Sequence, residues 1–236
     1  MSSSAAPVSL SEVTLRNFLD NIQARFEAVQ KAYKSMGKPS HFEQLCNVLG
    51  KEDWEIDNIV IMGIGNPPRL FELAMILELR DRFEEEGPRK VTVWSQELVD
   101  LKHEALEMFM GEHNIMKLIA SPGQPSRPIS DKITGTTLVF APVVGAFVVQ
   151  AIDGKQPELY IGVSMDRQKV VCSAHLAMAA QAFHDTYQMA KVPAFTGAEA
   201  STNFNDLVIY RRQDGKFKGR SNDRQAAWKN TAPHWT

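Results

Sequence analysis

The sequence predicts an α/β protein built on a Rossmann-like, mainly parallel sheet with helices on both faces. Short apolar runs alternate with helical patterns from residue 58 to residue 163, as expected for strands joined by crossover helices. The first run ends in Gly63-Ile64-Gly65-Asn66 and passes at once into a helical pattern. This strand, glycine turn and helix start is the junction where parallel α/β proteins usually bind anionic small molecules.

Size and composition fit one α/β domain with a full core. The chain has 236 residues, of which 44% are hydrophobic and 23% charged. A formal net charge of −2 gives no global attraction to nucleic acid or acidic membranes. No apolar run approaches the roughly 20 residues that cross a bilayer, and the first residues do not resemble a signal peptide. We therefore expect a cytoplasmic or nuclear protein with no membrane partner, in which Cys46 and Cys172 are reduced, buried helix residues.

The chain divides into four predicted segments. They are a disordered tail (1–8), an N-terminal helical extension (9–50), a Rossmann-like domain (51–206), and a basic antiparallel hairpin with a C-terminal tail (207–236). Capping boxes begin the two helices of the extension, at Ser9-x-x-Glu12 and Ser40-x-x-Glu43. The first helix has one apolar face, which either covers the sheet of its own chain or packs in a dimer.

The remaining elements follow from local patterns in chain order. Five strands are predicted, at about 58–62, 90–94, 115–119, 136–140 and 159–163. Asn66 and Ser95 are the expected caps of the helices after the first two strands. The 121–135 segment is predicted to be a loop able to close over a ligand, and 168–191 to be one long helix. The final hairpin is predicted to pair 207–212 with 216–220 across a glycine turn.

Ligands of parallel sheets bind beyond the carboxyl ends of the strands, near the point where strand order reverses. Glycines there let the backbone approach a ligand, and free N–H groups of the following helix favour an anion. The residues predicted to line such a site are Gly63, Gly65, Asn66, Ser95, Glu97, Pro142, Gly162 and Ser164. A nucleotide-like cofactor, such as S-adenosylmethionine or a dinucleotide, is one ligand class that would suit them, with Glu97 contacting a ribose.

The glycine turn departs from a complete dinucleotide fingerprint. The third glycine of G-x-G-x-x-G is replaced by Pro68, and neither Pro67 nor Pro68 has an N–H to donate. The acidic residue that usually ends the second strand is replaced by Ser95, and Glu97 comes two residues later. The alternative that the glycines only form the turn stays open.

Other polar constellations point to no catalytic residue and no metal site. His103 and Glu107 lie four apart on a helix beside Glu104, but no third ligand is evident and a solvated face is favoured. His175 and His184 are nine residues apart, which places them on opposite faces of a helix. The cofactor is therefore left unknown, and so is the question of whether the protein is an enzyme.

The 211–229 segment is the most basic part of the chain. Seven lysines and arginines stand there against Asp214 and Asp223, which makes contact with phosphates possible. A solvated hairpin edge protected by charge explains the same pattern and is favoured. Nucleic-acid binding through this segment is accordingly the third functional hypothesis.

Several motifs together resemble the Sensitivity to Red Light Reduced-like (SRR-like) domain family. They are the glycine turn with its preceding strand at 59–66, the Leu/Ala-rich helix at 70–79, and the strands at 91–94, 136–142 and 159–164. The resemblance covers about residues 55–170. It implies a regulatory protein, because family members are linked to light and circadian signalling, to haem metabolism and to cytoskeletal phenotypes.

The departures from that family's pattern fall on its presumed pocket. The family usually has Asp-Pro after the second strand, Pro-His after the fourth and Gly-Asn after the fifth. This chain has Ser95-Gln96, Pro142-Val143 and Gly162-Val163. A valine can neither move a proton nor hold a metal. We therefore expect a non-catalytic or weakly catalytic regulatory protein with a protein partner or self-association, ahead of a cofactor-binding enzyme or sensor.

Overall fold

The computed structural model describes residues 12–35, 37, 39–50, 54–63, 70–87, 89–96, 104–119, 127–194 and 206–212. The helices are α1 (Glu12–Ser35), α2 (His41–Leu49), α3 (Leu70–Glu86), α4 (Glu104–Glu112), α5 (Arg127–Ser130), α6 (Ala146–Ile152), α7 (Met165–Lys169) and α8 (Ala174–Thr186). The strands are β1 (Asn58–Met62), β2 (Thr92–Gln96), β3 (Ile115–Lys117), β4 (Thr137–Ala141), β5 (Leu159–Val163), β6 (Tyr187–Lys191) and β7 (Leu207–Arg212). No helix in these ranges is long and apolar enough to cross a membrane.

The seven strands form one sheet in the order β3-β2-β1-β4-β5-β7-β6. Strands β1 to β5 are parallel to their neighbours, and β7 runs antiparallel to both β5 and β6. The predicted Rossmann-like α/β fold, with its mainly parallel sheet and antiparallel C-terminal strands, is confirmed. Because the chain moves outward from β1 to β3 and then returns to β4, strand order reverses between β1 and β4.

The sheet is covered by helices on both faces because its strands are apolar on both sides. Ile59 and Ile61 of β1 belong to a core layer with helices α1 to α4. Val60 and Met62 of the same strand face the other layer, which includes α5, α6 and α8. Every residue of β4 and β5 is buried, as expected for central strands of a parallel sheet.

The apolar face of α1 packs inside its own chain, against α3 and α4. Phe26 contacts Phe109 of α4 edge to face, with ring centroids 5.3 Å apart. The capping box that begins α2 is present: Ser40 N donates to Glu43 Oε2 at 2.6 Å, and Glu43 N donates to Ser40 Oγ at 3.2 Å. Of the two roles predicted for the face of α1, the structure shows the covering of its own domain.

Two strand predictions differ from the structure. Strand β2 extends to Gln96, so Ser95 lies within the strand and does not cap a helix. The predicted 168–191 helix is α7, a turn, α8 and then β6. The end of that segment is a strand because Tyr187–Lys191 pairs along its full length with β7, and this ladder outweighs the local helical pattern. The turn, and not a helix, contains Cys172.

Several other predictions are refined or fall outside the described residues. Helix α5 occupies part of the predicted 121–135 loop, and β3 ends at Lys117. The antiparallel partners of β7 are β5 and β6. The proposed second hairpin strand, 216–220, and the tail at 1–8 lie outside the described residues.

The N-terminal helices meet α3 through a buried polar cluster. The His41 side chain is buried, and its ring centroid lies 5.2 Å from that of Tyr33. Burial lowers the pKa of His41 from its usual 6.5 to about 4. Nearby, the buried Glu78 accepts a hydrogen bond from Gln30 and pairs with Lys34 Nζ at 2.8 Å.

We predict that His41 makes the fold less stable in mild acid. Its pKa is lower in the folded chain than in the unfolded chain, so below pH 6.5 the unfolded chain binds more protons. The free energy of unfolding should therefore be at its full value above pH 6.5 and fall as the pH drops to about 4. Urea unfolding at several pH values measures this, and His41→Phe should flatten the dependence.

The exposed His175 provides the matched control, since His175→Phe removes a histidine that is 81% exposed. His113, whose pKa is also lowered by burial, contributes equally to both variants and cancels in the comparison. An unchanged pH dependence in His41→Phe would contradict the assignment.

Candidate functional site

The carboxyl ends of β1 and β4 lie side by side at the reversal of strand order. Gly63 follows β1, with its N–H donating to Gln96 O at 3.1 Å and its φ at +85°, a left-handed value that favours glycine. A Cβ built on Gly63 would lie 3.0 Å from Val143 Cγ1 and 3.1 Å from Val143 Cγ2. The Val143 side chain therefore packs directly on the backbone that was predicted to approach a ligand.

Gln168 of α7 fixes the loop that carries Val143. Its side chain is completely buried. Its Nε2 donates to Val143 O at 2.8 Å, and its Oε1 accepts from Gly145 N at 2.9 Å. Both ends of one buried amide thus bind the 142–145 loop to the helix that follows β5, which determines where Val143 lies.

Gly162, predicted as a ligand contact, is enclosed between two strands. A Cβ at this position would overlap the carbonyl oxygen of Ala141 and lie 2.8 Å from Tyr160 Oη. The Tyr160 hydroxyl donates to Val163 O at 3.0 Å and is hydrogen-bonded to Gln168. Burial raises the pKa of Tyr160 well above its usual 10, so the hydroxyl remains a protonated donor. Glycine is needed here for close packing.

The two predicted serines have different surroundings. Ser164 begins α7, and its Oγ accepts from Arg167 N at 3.4 Å, so it acts as a helix cap. Ser95 is 1% exposed and pairs in register with Ile61, whose side chain faces α3. Its Oγ has no hydrogen-bond partner within the described part of the chain.

The structure brings some of the predicted residues together and leaves others untested. Gly63 and the buried Pro142 meet where β1 and β4 end, and Ser164 follows β5, the next strand. Ser95 lies on the other side of β1. Gly65, Asn66 and Glu97 lie outside the described residues. The set as a ligand site therefore stays a prediction.

Three of the described basic side chains near this end of the sheet are paired with carboxylates. Lys117 Nζ lies 2.5 Å from Glu107, Arg167 Nη1 lies 2.6 Å from Asp206, and Lys169 Nζ lies 2.7 Å from Asp166. These pairs are partly exposed and contribute little to stability.

The described histidines and acidic side chains are spread over separate contacts. Within the described residues, no group of three or more His, Cys, Asp or Glu side chains is placed to hold a metal. His103, from the predicted helical pair, lies outside them. His184 Nδ1 lies 3.0 Å from Tyr210 Oη, whereas His175 Nε2 lies 3.5 Å from Asp153. The two histidines thus contact different partners.

A cleft of about 660 Å³ lies at the opposite end of β2 and β3, among Arg80, Lys90 and Asn114. The Arg80 guanidinium there is already bound, since it donates to Asp81 Oδ1 and to His113 O. This cleft is remote from the carboxyl ends of the strands and was not anticipated from the sequence.

Three residues that shape the site carried no recognisable signal. Tyr160 and Tyr210 lie in apolar strands and read as core residues. Gln168 lies in a polar stretch, and its described hydrogen-bond partners in the loop are backbone groups that leave no side-chain pattern. Val143 was identified from the family pattern, but its packing on Gly63 was not.

No protein-family model matches the chain. No curated protein matches it either. The SRR-like resemblance therefore rests on the motifs quoted above.

We predict that Gly162→Ala destabilises the fold by about 3 kcal/mol, because the added methyl group overpacks the space between Ala141 and Tyr160. Gly111→Ala is the matched control. Gly111 lies in α4 with nothing within 4 Å of an added Cβ, so alanine there should be neutral or stabilising by up to about 1 kcal/mol. Urea unfolding measures both, and equal effects would contradict the close packing at Gly162.

Proposed function

We propose that the chain is a non-catalytic or weakly catalytic regulatory protein of the SRR-like family, with a Rossmann-like ligand pocket. The observation that carries this proposal is the packing of Val143 on Gly63 where strand order reverses. At the position where the family usually has histidine, an apolar side chain fills the space beside the glycine turn. Valine offers no group for proton transfer or metal binding.

The neighbouring described positions support the same proposal. Gly63, Pro142 and Ser164 come next after β1, β4 and β5, and none of these side chains titrates near neutral pH. General acid–base catalysis needs such a group within hydrogen-bond reach of the substrate. Gly63, Pro142 and Ser164 supply no such group.

A protein partner is part of the proposal, and the turn between α7 and α8 supports it. In that turn Val170 is 83% exposed and Val171 is 50% exposed, and Met178 of α8 is 73% exposed. Adjacent exposed apolar side chains such as Val170 and Val171 often mark a surface for protein contacts. The apolar face of α1, in contrast, is used within the chain.

The second candidate is an enzyme or sensor that binds a nucleotide-like cofactor at Gly63–Asn66. The strand order favours it: an antiparallel seventh strand between the fifth and sixth is the arrangement of S-adenosylmethionine-dependent methyltransferases. This support is a fold-level analogy, and a fold by itself does not define a function.

The third candidate, nucleic-acid binding, has less support from the described residues. Arg211 Nη2 donates to Gln188 Oε1 at 3.1 Å, and Arg212 Nη2 lies 3.2 Å from Glu158 Oε2. Both arginines thus have partners in or beside the sheet. The remaining basic residues of the 211–229 segment lie outside the described residues.

We predict that Val143→Ala tightens binding of a pocket ligand by about tenfold, because removing two methyl groups opens space beside Gly63. Calorimetric titration with S-adenosylmethionine and with NAD⁺ measures the affinities. Val144→Ala is the matched control, since Val144 is the next residue of the same loop and is 42% exposed. Equal affinities for wild type and Val143→Ala would contradict binding of the ligand beside Gly63. Conversion of a bound ligand by the wild type, followed by mass spectrometry, would overturn the non-catalytic role.

The cofactor candidate makes its own prediction. Gly65→Val should abolish binding of whichever of these two ligands binds the wild type, because the added side chain blocks approach to the turn backbone. Calorimetry on the same samples measures this. Undiminished binding by Gly65→Val would count against a cofactor at this turn.

A further inference from the structure

We propose that Gln168 is a positioning residue that holds the 142–145 loop as a reversible plug over Gly63, and that a ligand reaches the pocket only when this loop lifts. The inference rests on the ligand pocket of the proposed function. It adds a regulatory contact to that pocket, in which the protein's own loop competes with the ligand for the space beside Gly63.

The plug consists of one apolar contact and two hydrogen bonds. Val143 Cγ1 and Cγ2 lie against Gly63, close enough that even a Cβ on the glycine would be crowded. Gln168 binds the carbonyl of Val143 and the N–H of Gly145. Because both bonds come from one side chain, they form or break as a unit when the loop moves relative to α7.

The Gln168 end of this contact is anchored to the sheet. Met165 N, at the start of α7, donates to Tyr210 Oη at 3.1 Å, and that hydroxyl also contacts His184 of α8. These links hold α7 to β7 and α8.

The loop end is held less firmly. Val143 is half-buried, and Val144 is 42% exposed to solvent. Pro142 is buried at the end of β4 and is the fixed end of the loop. We therefore assign the motion to 143–145 and the fixed support to α7.

The size of the effect follows from the population of the open loop. Minor conformations of this kind are typically populated at about 0.1–10%. The apparent affinity of a ligand that needs the open state is reduced by that same fraction. Weakening the plug should thus raise affinity by about tenfold or more, without any new contact between protein and ligand.

A double-mutant cycle between Val143→Ala and Gln168→Met tests the proposal. Methionine is close to glutamine in size and forms neither of the two bonds. The probes are S-adenosylmethionine and NAD⁺, titrated by calorimetry into proteins whose urea unfolding confirms that they are folded. We expect Gln168→Met alone to tighten binding by about tenfold. We expect the double variant to bind no more tightly than Val143→Ala, because the plug is already removed.

Gln181→Met is the matched control. Gln181 is an exposed glutamine of α8 that contacts Lys169 and Asp185, and its replacement should leave affinity unchanged. Hydrogen exchange gives a readout without ligand: the 142–148 backbone should exchange about tenfold faster in Gln168→Met and at the wild-type rate in Gln181→Met.

The possible outcomes distinguish failure of the plug from failure of the ligand pocket. Tighter binding by Val143→Ala with unchanged binding by Gln168→Met overturns the plug and leaves the pocket standing. The plug is also overturned if the gains in affinity of the two single variants add fully in the double variant. Additive effects would mean that Val143 and Gln168 act independently and not through one shared contact. If no variant binds either probe, both the pocket and the plug are rejected. Unchanged exchange in Gln168→Met rejects the plug alone.

Discussion

Gln168 lies completely buried on α7 and uses both ends of its amide to bind the loop after β4. A buried amide must find partners, because leaving its donor or acceptor without one costs about 1–3 kcal/mol. Here the partners are the carbonyl of Val143 and the N–H of Gly145, so the loop is drawn against α7. Val143 is placed on Gly63 as a consequence. The shape of the sheet edge at the reversal point therefore depends on one side chain that belongs to neither β1 nor β4.

Two buried tyrosines, Tyr160 and Tyr210, belong to the core layer against which Val143 packs. The Tyr160 hydroxyl lies beside Gly162, contacts Gln168, and donates to Val163 O. Tyr210 receives the N–H that begins α7. Tyrosines buried this way need hydrogen-bond partners, and here those partners include backbone groups where β5 ends and α7 begins. Val163 O and Met165 N, near the carboxyl end of β5, are therefore already hydrogen-bonded within the protein. Other parallel sheets use this end of their strands to bind ligands.

Sequence reasoning identified the central strands because their signal is local. Strands β1 and β5 are runs of buried apolar residues, and their predicted bounds match those observed. The short β6 was predicted as the end of a helix because no glycine or proline separates it from α8, and its partner β7 comes later in the sequence. A strand formed by pairing at long range leaves no reliable trace in its own five residues.

The candidate site was only partly predictable for a related reason. The glycine turn and the valine at position 143 are visible in the sequence, whereas the two hydrogen bonds from Gln168 go to backbone groups more than twenty residues earlier. Hydrogen bonds from a side chain to the backbone place no requirement on the residue type of the partner. Of the predicted ligand residues, Gly63 and Pro142 lie where β1 and β4 end, whereas the packing that fills the space beside Gly63 depends on contacts between distant parts of the chain.

The energy of the contacts that hold Val143 on Gly63 decides whether the plug abolishes ligand binding or only weakens it. The two hydrogen bonds from Gln168 contribute about 0.5–1.5 kcal/mol each, net of competition with water. The atom contacts of Val143 with Gly63 contribute about 0.1–0.2 kcal/mol apiece. The plug is therefore held by a few kcal/mol, whereas a ligand of micromolar affinity binds with about 8 kcal/mol. On the proposed mechanism, a ligand that fits the open site displaces Val143 at a loss of affinity set by the free energy of the plug, about tenfold for each 1.4 kcal/mol.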